Sequence, residues 1–388
     1  MHIAVIGFGN AGGKIADSIL EFEADTGRAL CRDVLAVNSA EIDLAKLTQI
    51  PEERRLLIGQ THERSKGRGV GSDPDLGAEV THRDLGEIDR ALDSVPVYDI
   101  DGFLIVAGLG GGTGSGGAPV IAEHLREMYA EPVYGLGVLP STDEGGRASL
   151  NAARSLQSFT EATDSLILFD NDAWRQPGDS LERGYEKTNT ELARRVSTLL
   201  GAGALDDSMV SETAMDASDI NRTLSAGGVS TIAYASTELN HRNQTGLLDN
   251  FRTNGKNGDS SAQQIHGLAR RAVRARLTCP AQIDSADRSL AVVSGPPGKI
   301  SRKGLQHTRQ WLEDETDSVE VLVGDDPRER ADTLSVAVLL SNVTGVPRVD
   351  ALQEKAVDAQ TRIEDQETDR SKEVSELITD ENNELDPV

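Results

Sequence analysis

The sequence predicts an α/β protein: a parallel sheet with helices on both faces, a long connecting helix, and a second, smaller α/β unit. Three observations predict it. Short aliphatic runs alternate with helix-period segments through the first half of the chain. Glycine-rich turns join those strands to those helices. A chain of 388 residues is longer than one compact core usually organises.

The elements follow in order. HIAVIG (2–7) is an apolar run ending in glycine, and KIADSILEFEADTG (14–27) places Ile15, Ile19 and Leu20 at helical spacing before its glycine stop. DVLAVN (33–38) and GFLIVA (102–107) are the next strands, and PVIAEHLREMYAE (119–131) is the helix after them. PVYGLGVLP (132–140), a helix over 148–162 and SLILFDN (165–171) continue the alternation. A helical segment over 180–200 ends at GAGAL and bridges to the second unit. That unit reads helix 216–225, strand 229–237, helix 260–277, strand 289–294, helix 301–315, and strands 319–323 and 333–343. The polar, glycine-rich stretch 240–261 reads as a mobile loop. From Asp350 onward 13 acidic and 4 basic residues stand among few large apolar ones, so 350–388 is expected to be an acidic tail, disordered or at best partly helical.

Charge narrows the function classes. The formal net charge is −25, which leaves no basic footprint for nucleic acid. Among the 39 cations, 9 are Lys and 30 are Arg. An acidic, lysine-poor chain suits a salt-rich cytoplasm, where self-repulsion is screened. Cys31 and Cys279 supply neither a disulfide framework nor a zinc site. No apolar run reaches the roughly 18 residues of a membrane span, and the opening HIAVIGFG does not read as a signal peptide. A cytoplasmic location is expected.

Three glycine-rich stretches carry the chemistry. GFGNAG (7–12) fits G-x-G-x-x-G between a strand and a helix, which by itself points to a dinucleotide. A nicotinamide site also expects an acidic residue at the end of the second strand. Asn38 and Ser39 stand there, and Glu41 comes late. VAGLGGGTGSGGAPVI (106–121) has seven glycines from Gly108 to Gly117 and no P-loop lysine. Backbone N–H groups, the Thr113 and Ser115 hydroxyls and the following helix start can still cradle phosphate. KGRGVGSDPDLG (66–77) adds a third loop, which favours a triphosphate over a monophosphate.

GGGTGSG (110–116) resembles the signature of the tubulin and FtsZ cytoskeletal GTPases, and the order of the other pieces is similar. GFGNAGGK, VNSAEIDL and GRGVGSDPDLG resemble the other phosphate loops, LPSTDEGGR (139–147) the ribose loop and FDNDAW (169–174) the guanine-contacting turn. The resemblance covers residues 1–345, and the acidic composition with Ser115 is similar to the archaeal CetZ branch. It implies a Rossmann-like GTPase domain over 1–178, a core helix over 179–203 and a smaller α/β domain over 204–349. It implies GTP or GDP with Mg2+, held by Gly9, Asn10, Ala11, Gly12, Lys14, Asn38, Gly69, Gly71, Gly108, Gly110, Gly111, Gly112, Thr113, Gly114 and Ser115, with no magnesium ligand assigned. Glu144 and Arg147 match the ribose contacts, although FtsZ members usually space this pair one residue wider. Asn171 and Asn189 match the guanine readers, and Tyr185, on the same helix face as Asn189, the ring that stacks on the base.

TAMDASDINRTL (213–224) resembles the loop whose acidic residues complete hydrolysis, with Asp216 and Asp219 in those places. Two carboxylates at a helix start also suit plain capping. The family's Asn two positions before the first Asp is Ala214 here. The implied function is GTP hydrolysis at the contact between successive subunits of a head-to-tail filament, with a role in cell shape. Two other readings stand beside it: a nicotinamide-dependent oxidoreductase, and a GTP-binding homologue with little turnover.

Overall fold

The computed structural model describes residues 1–175, 181–203, 214–239 and 256–379. Its sheet has ten strands in the order β3-β2-β1-β4-β5-β6-β7-β10-β8-β9. The first six are β1 (Ile3–Phe8), β2 (Cys31–Asn38), β3 (Arg55–Leu57), β4 (Gly102–Gly108), β5 (Val133–Leu139) and β6 (Ser165–Asp170), all parallel. Every residue of β1, β5 and β6 is buried. That is why they read as continuous apolar runs rather than alternating ones.

The second unit continues the same sheet. β7 (Val229–Glu238) meets β6 in parallel only at Leu166–Val229 and Ile167–Ser230. Beyond that seam it pairs antiparallel with β10 (Thr333–Val343). β10 also pairs antiparallel with β8 (Ala286–Gly295), and β8 runs parallel to β9 (Glu320–Pro327). Buried hydroxyls close the seam, with Ser230 Oγ 3.0 Å from both Ser165 Oγ and Ser341 Oγ.

Helices α1 (Gly9–Thr26), α8 (Leu181–Leu200) and α9 (Ala217–Leu224) cover one face. On the other face lie α3 (Pro74–Arg83), α5 (Thr113–Met128), α6 (Gly146–Ala162), α10 (Lys256–Ala275), α11 (Arg302–Thr316) and α12 (Pro347–Thr379). Short α2 (Glu41–Leu44), α4 (Leu85–Leu92) and α7 (Asn171–Trp174) complete the set among the described residues. Each face carries one apolar core that runs across both units. A buried ion cluster also ties them: Asp326 accepts from Arg28 at 3.1 Å, Ser294 at 2.6 Å and Arg328 at 2.9 Å.

Several boundaries differ from expectation. α1 starts at Gly9 and α5 at Thr113, so the glycine-rich stretches are first turns of helices as well as loops. Pro119, expected near a helix start, sits inside α5. It cannot donate to the Ser115 carbonyl, and the Ser155 hydroxyl does so instead at 2.9 Å. β3, α3 and α4 had no sequence signal singled out for them. Of the two readings of the acidic tail, the helical one holds over 350–379, which belong to α12, and the disordered one is corrected there. There Leu352 and Ala356 are buried, and Gln360 accepts from Arg154 of α6 at 2.8 Å. The expected mobile loop lies outside the described residues over 240–255, and 256–261 open α10.

Candidate functional site

The order β3-β2-β1-β4-β5-β6 reverses direction between β1 and β4, and ligands of open parallel sheets sit beyond the carboxyl ends at such a point. A cavity of about 550 Å3 opens there, walled by segments that follow all six of these strands. Four strand steps of about 4.8 Å separate β2 from β6, so it spans roughly 19 Å. That is room for a nucleotide lying across the strand ends.

Its floor is made of two uncapped helix starts, those of α1 and α5, which have no side-chain cap and no acidic residue in the first turn; α6, which starts beside the adjoining cleft, has the same features. By contrast α3, α9 and α11 are capped by Asp73, Asp216 and Ser301. First-turn N–H groups without a partner and the positive end of the helix dipole both favour an anion. Gly9, Asn10, Ala11, Gly108 and Gly110–Gly114 line the cavity beside them. A Cβ at Gly111 would meet nothing within 4 Å, so this glycine faces open space. At Gly112 a Cβ would fall 2.6 Å from Val70 Cγ2 and 2.7 Å from the Asp73 nitrogen, so this one seats the third loop. Ser39 and Thr113 join the second loop to this floor, Oγ to Oγ1, at 2.6 Å.

Three expected contacts are placed elsewhere. The Ser115 hydroxyl donates to the Gly111 carbonyl and, at 3.2 Å, to that of Gly112, so it braces the loop rather than facing the cavity. Gly12 lies beneath the first loop, where a Cβ would stand 2.0 Å from the Val106 carbonyl oxygen. Arg147 lines an adjoining cleft and not the cavity wall. Lys14, Asn38, Gly69 and Gly71 do line the cavity, as does Arg68, which sequence reasoning passed over.

Glu144, Asn171, Tyr185 and Asn189 line the β5–β6 end. The Tyr185 hydroxyl donates to Glu144 Oε1 at 3.2 Å. Burial, then the Glu144 charge, pushes that phenol up to about 12, so it stays a neutral donor. Asn171 opens α7, which is capped by the buried Asp170. Burial raises the Asp170 carboxyl, and Arg348 at 3.0 Å offsets part of the rise. Arg348 also donates to the Pro140 carbonyl at 2.7 Å and pairs with Asp172 at 3.2 Å. Asp172 in turn accepts from Ser141 at 2.8 Å and from the Thr142 N–H at 3.0 Å. This brace under Asn171 was missed. Nothing local could have found it, because Arg348 lies 178 positions from Asp170.

Asp216 and Asp219 are not in the cavity. Asn221 of the same helix donates to the Asp101 carbonyl at 3.3 Å and accepts from Tyr134 at 2.9 Å, which fixes α9 at the amino ends of β4 and β5. One strand length, about 20 Å, separates the two ends. Asp216 caps α9 by accepting from the Asp219 N–H at 2.9 Å, and it accepts from Ser218 at 2.7 Å. These bonds hold its carboxyl below the usual range. Burial, then the Asp216 charge, raises that of Asp219.

The oxidoreductase reading is corrected at this point. The second strand ends in Asn38, whose amide oxygen accepts from the Ala40 N–H at 3.2 Å, and in Ser39, committed to Thr113. The acidic residue that the dinucleotide fingerprint places at the end of the second strand is therefore missing there. Comparison with known proteins agrees. Residues 2–178 match the Tubulin/FtsZ family, GTPase domain, and residues 178–358 match the Tubulin-like CetZ, C-terminal domain. Tubulin-like protein CetZ1 of Haloferax volcanii is 47% identical over 374 residues, covering 94% of each chain. A structure described as a GDP-bound monomer of CetZ1 superposes with a TM-score of 0.82 at 45% identity, covering 93% of this chain and 100% of that one. A GTPγS-bound protofilament of CetZ2 from the same organism gives 0.82 at 39% identity, covering 94% and 100%. The chain belongs to the CetZ family of tubulin/FtsZ-type GTPases.

Proposed function

We propose that the chain binds GTP with Mg2+ in this cavity, hydrolyses it when a second copy brings up Asp216 and Asp219, and assembles head to tail into filaments. The observation that carries the reading is the pair of uncapped helix starts, those of α1 and α5, that line one cavity and favour an anionic ligand. The N–H groups of 110–114 and of the start of α1 hold the phosphates, with Lys14 and Arg68 as the cations. Asn171 and Asn189 read the guanine edge, Tyr185 stacks on the base, and Glu144 takes the ribose hydroxyls.

Asp219, raised by burial and a neighbouring charge, is the group that orients or deprotonates the attacking water, and Asp216 sets its position. They lie a strand length from the cavity of their own subunit, so they serve the next one. A contact between unlike ends propagates as an open filament. The protofilament described for CetZ2 supports this mode of assembly. Among the described residues no group of three His, Cys, Asp or Glu is clustered to hold a metal. No magnesium ligand is assigned to the protein; Mg2+ bound with the nucleotide would supply charge neutralisation at the transferring phosphoryl group.

We place the protein in the cytoplasm of a halophilic archaeon with a role in cell shape, supported by its charge and its relatives. One observation favours weaker turnover than in FtsZ: position 214 is an alanine whose backbone bridges to Asp325, with no side-chain amide to hold water. Thermal unfolding tests the reading. GTP at about 100 times its dissociation constant should stabilise the fold by ~2.7 kcal/mol, while NAD+ at the same concentration leaves Tm unchanged. A shift with NAD+ and none with GTP would overturn it.

A further inference from the structure

A second cleft of about 620 Å3 adjoins the cavity at the end away from Tyr185, and the two share Arg68–Gly71 as a common rim. Four cations line it: Arg64, Lys66, Arg68 and Arg147. Arg64 pairs with Asp73 at 2.8 Å. Arg147 acts on Asp73 only through space, and among the described residues Lys66, Arg68 and Arg147 form no ion pair. With Glu63 and Asp73 as the carboxylates of its lining, the cleft is net positive in a chain of net charge −25, which suits an anion. Lys66 is held there at φ 49°, a conformation a lysine rarely adopts, by its N–H bond to the His62 carbonyl at 2.9 Å. Ser65 also lines the cleft. It is 1% exposed, and its hydroxyl has no hydrogen-bond partner among the described residues.

We propose that this cleft receives the inorganic phosphate freed by hydrolysis and holds it before release. The inference rests on the GTPase reading above. The terminal phosphate of a nucleotide whose base lies against Tyr185 ends near the Arg68–Gly71 rim. A freed phosphate therefore enters the cleft by crossing that rim, drawn by Lys66 and Arg147 on the far side. A carboxylate of the next subunit is the other anion that could dock there, and the test separates the two.

The variant is Lys66→Asn with Arg147→Gln, since Asn tolerates the left-handed conformation and both changes remove charge. In filaments at fixed KCl, cleavage is followed by acid quench and free phosphate by a fluorescent reporter, during a single turnover of GTP. Wild type should release phosphate after a lag, and added inorganic phosphate should lengthen that lag. In the variant the lag should shorten about fivefold or more, added phosphate should lose its effect, and GDP affinity should stay within about twofold. An unchanged lag and phosphate response overturn the inference, as does a parallel fall in GDP affinity. Unchanged phosphate release with weaker assembly assigns the cleft to the neighbour's carboxylates and also overturns it. If wild type does not cleave GTP, the GTPase reading fails, and calorimetry of GDP-loaded protein with inorganic phosphate decides the cleft. Binding weakened about tenfold in the variant supports it, and equal binding overturns it.

Discussion

At the carboxyl ends of the parallel strands, α1, α5 and α6 begin with bare N–H groups; at the amino ends, α9 begins under the carboxylate of Asp216. The first end leaves its helix starts without a side-chain cap, a setting that favours an anion. The second satisfies its own helix and leaves Asp219 beside it, half-buried and raised in pKa. On the reading proposed above, the contrast divides a reaction centre between the two ends of one chain: helix starts without caps for binding, and carboxylates ordered by a cap for catalysis. On that reading a subunit is whole only in contact with another.

The binding end breaks most sharply at Gly111. Its Cβ position is open, so Gly111→Val should leave the fold intact, keep Tm without nucleotide near wild type, and abolish GTP binding measured by fluorescence titration. Gly112→Val is the less clean variant because its side chain collides with Val70 and Asp73. Normal GTP affinity in Gly111→Val would show that the bare helix starts are not the phosphate site.

The brace under Asn171 comes next. Arg348→Ala leaves the buried Asp170 charge uncompensated and should cost about 3–5 kcal/mol of unfolding free energy in denaturant titration. A loss under 1 kcal/mol would remove Arg348 from the account. Base reading is a smaller effect. Asn171→Ala and Asn189→Ala should each weaken GTP by ~1–3 kcal/mol while changing a triphosphate of another base much less. Equal loss for GTP and ATP would contradict the guanine assignment.

The catalytic end gives the smallest stability effect. Asp216→Ala removes a cap and should lower stability by about 1 kcal/mol at neutral pH. The folded carboxyl of Asp216 lies below its unfolded value, so its contribution is present above the ordinary Asp range and is lost as pH falls through the depressed value. The gap between variant and wild type should therefore close on acidification. A gap that widened would show that Asp216 is not the stabilising cap. Asp219 has the opposite sign: its raised carboxyl favours the fold when protonated, and that contribution disappears as pH rises through its raised value.

Much of this contrast was legible in the sequence. The aliphatic runs of β1, β4, β5 and β6 gave the parallel sheet, and the glycine stretches marked the phosphate end. Helix starts were misplaced where glycine was dense, because low helix propensity hides a first turn that a ligand or tertiary contact completes. α5 also contains Pro119, whose missing donor is replaced by the Ser155 hydroxyl from another helix. Ser115 reads as a ligand donor in the sequence, and in the structure its hydroxyl donates to loop carbonyls, since a hydroxyl's direction is set by the acceptors it finds in three dimensions. Arg348 and the helix around Leu352 were hidden for a similar reason. An acidic composition does not reveal two or three apolar residues docked on α6.

The central claim is that the two ends complete each other only between subunits, and mixing two defective proteins tests it most directly. Gly111→Val binds no GTP but keeps Asp216 and Asp219, whereas Asp219→Ala binds GTP but lacks the carboxylate. Each alone should hydrolyse GTP at least about 100-fold more slowly than wild type. Mixed above the assembly concentration, they should recover hydrolysis at hybrid contacts, and dilution to monomers should abolish it. No recovery on mixing, together with full turnover by dilute, strictly monomeric wild type, would show that each subunit holds its own complete site.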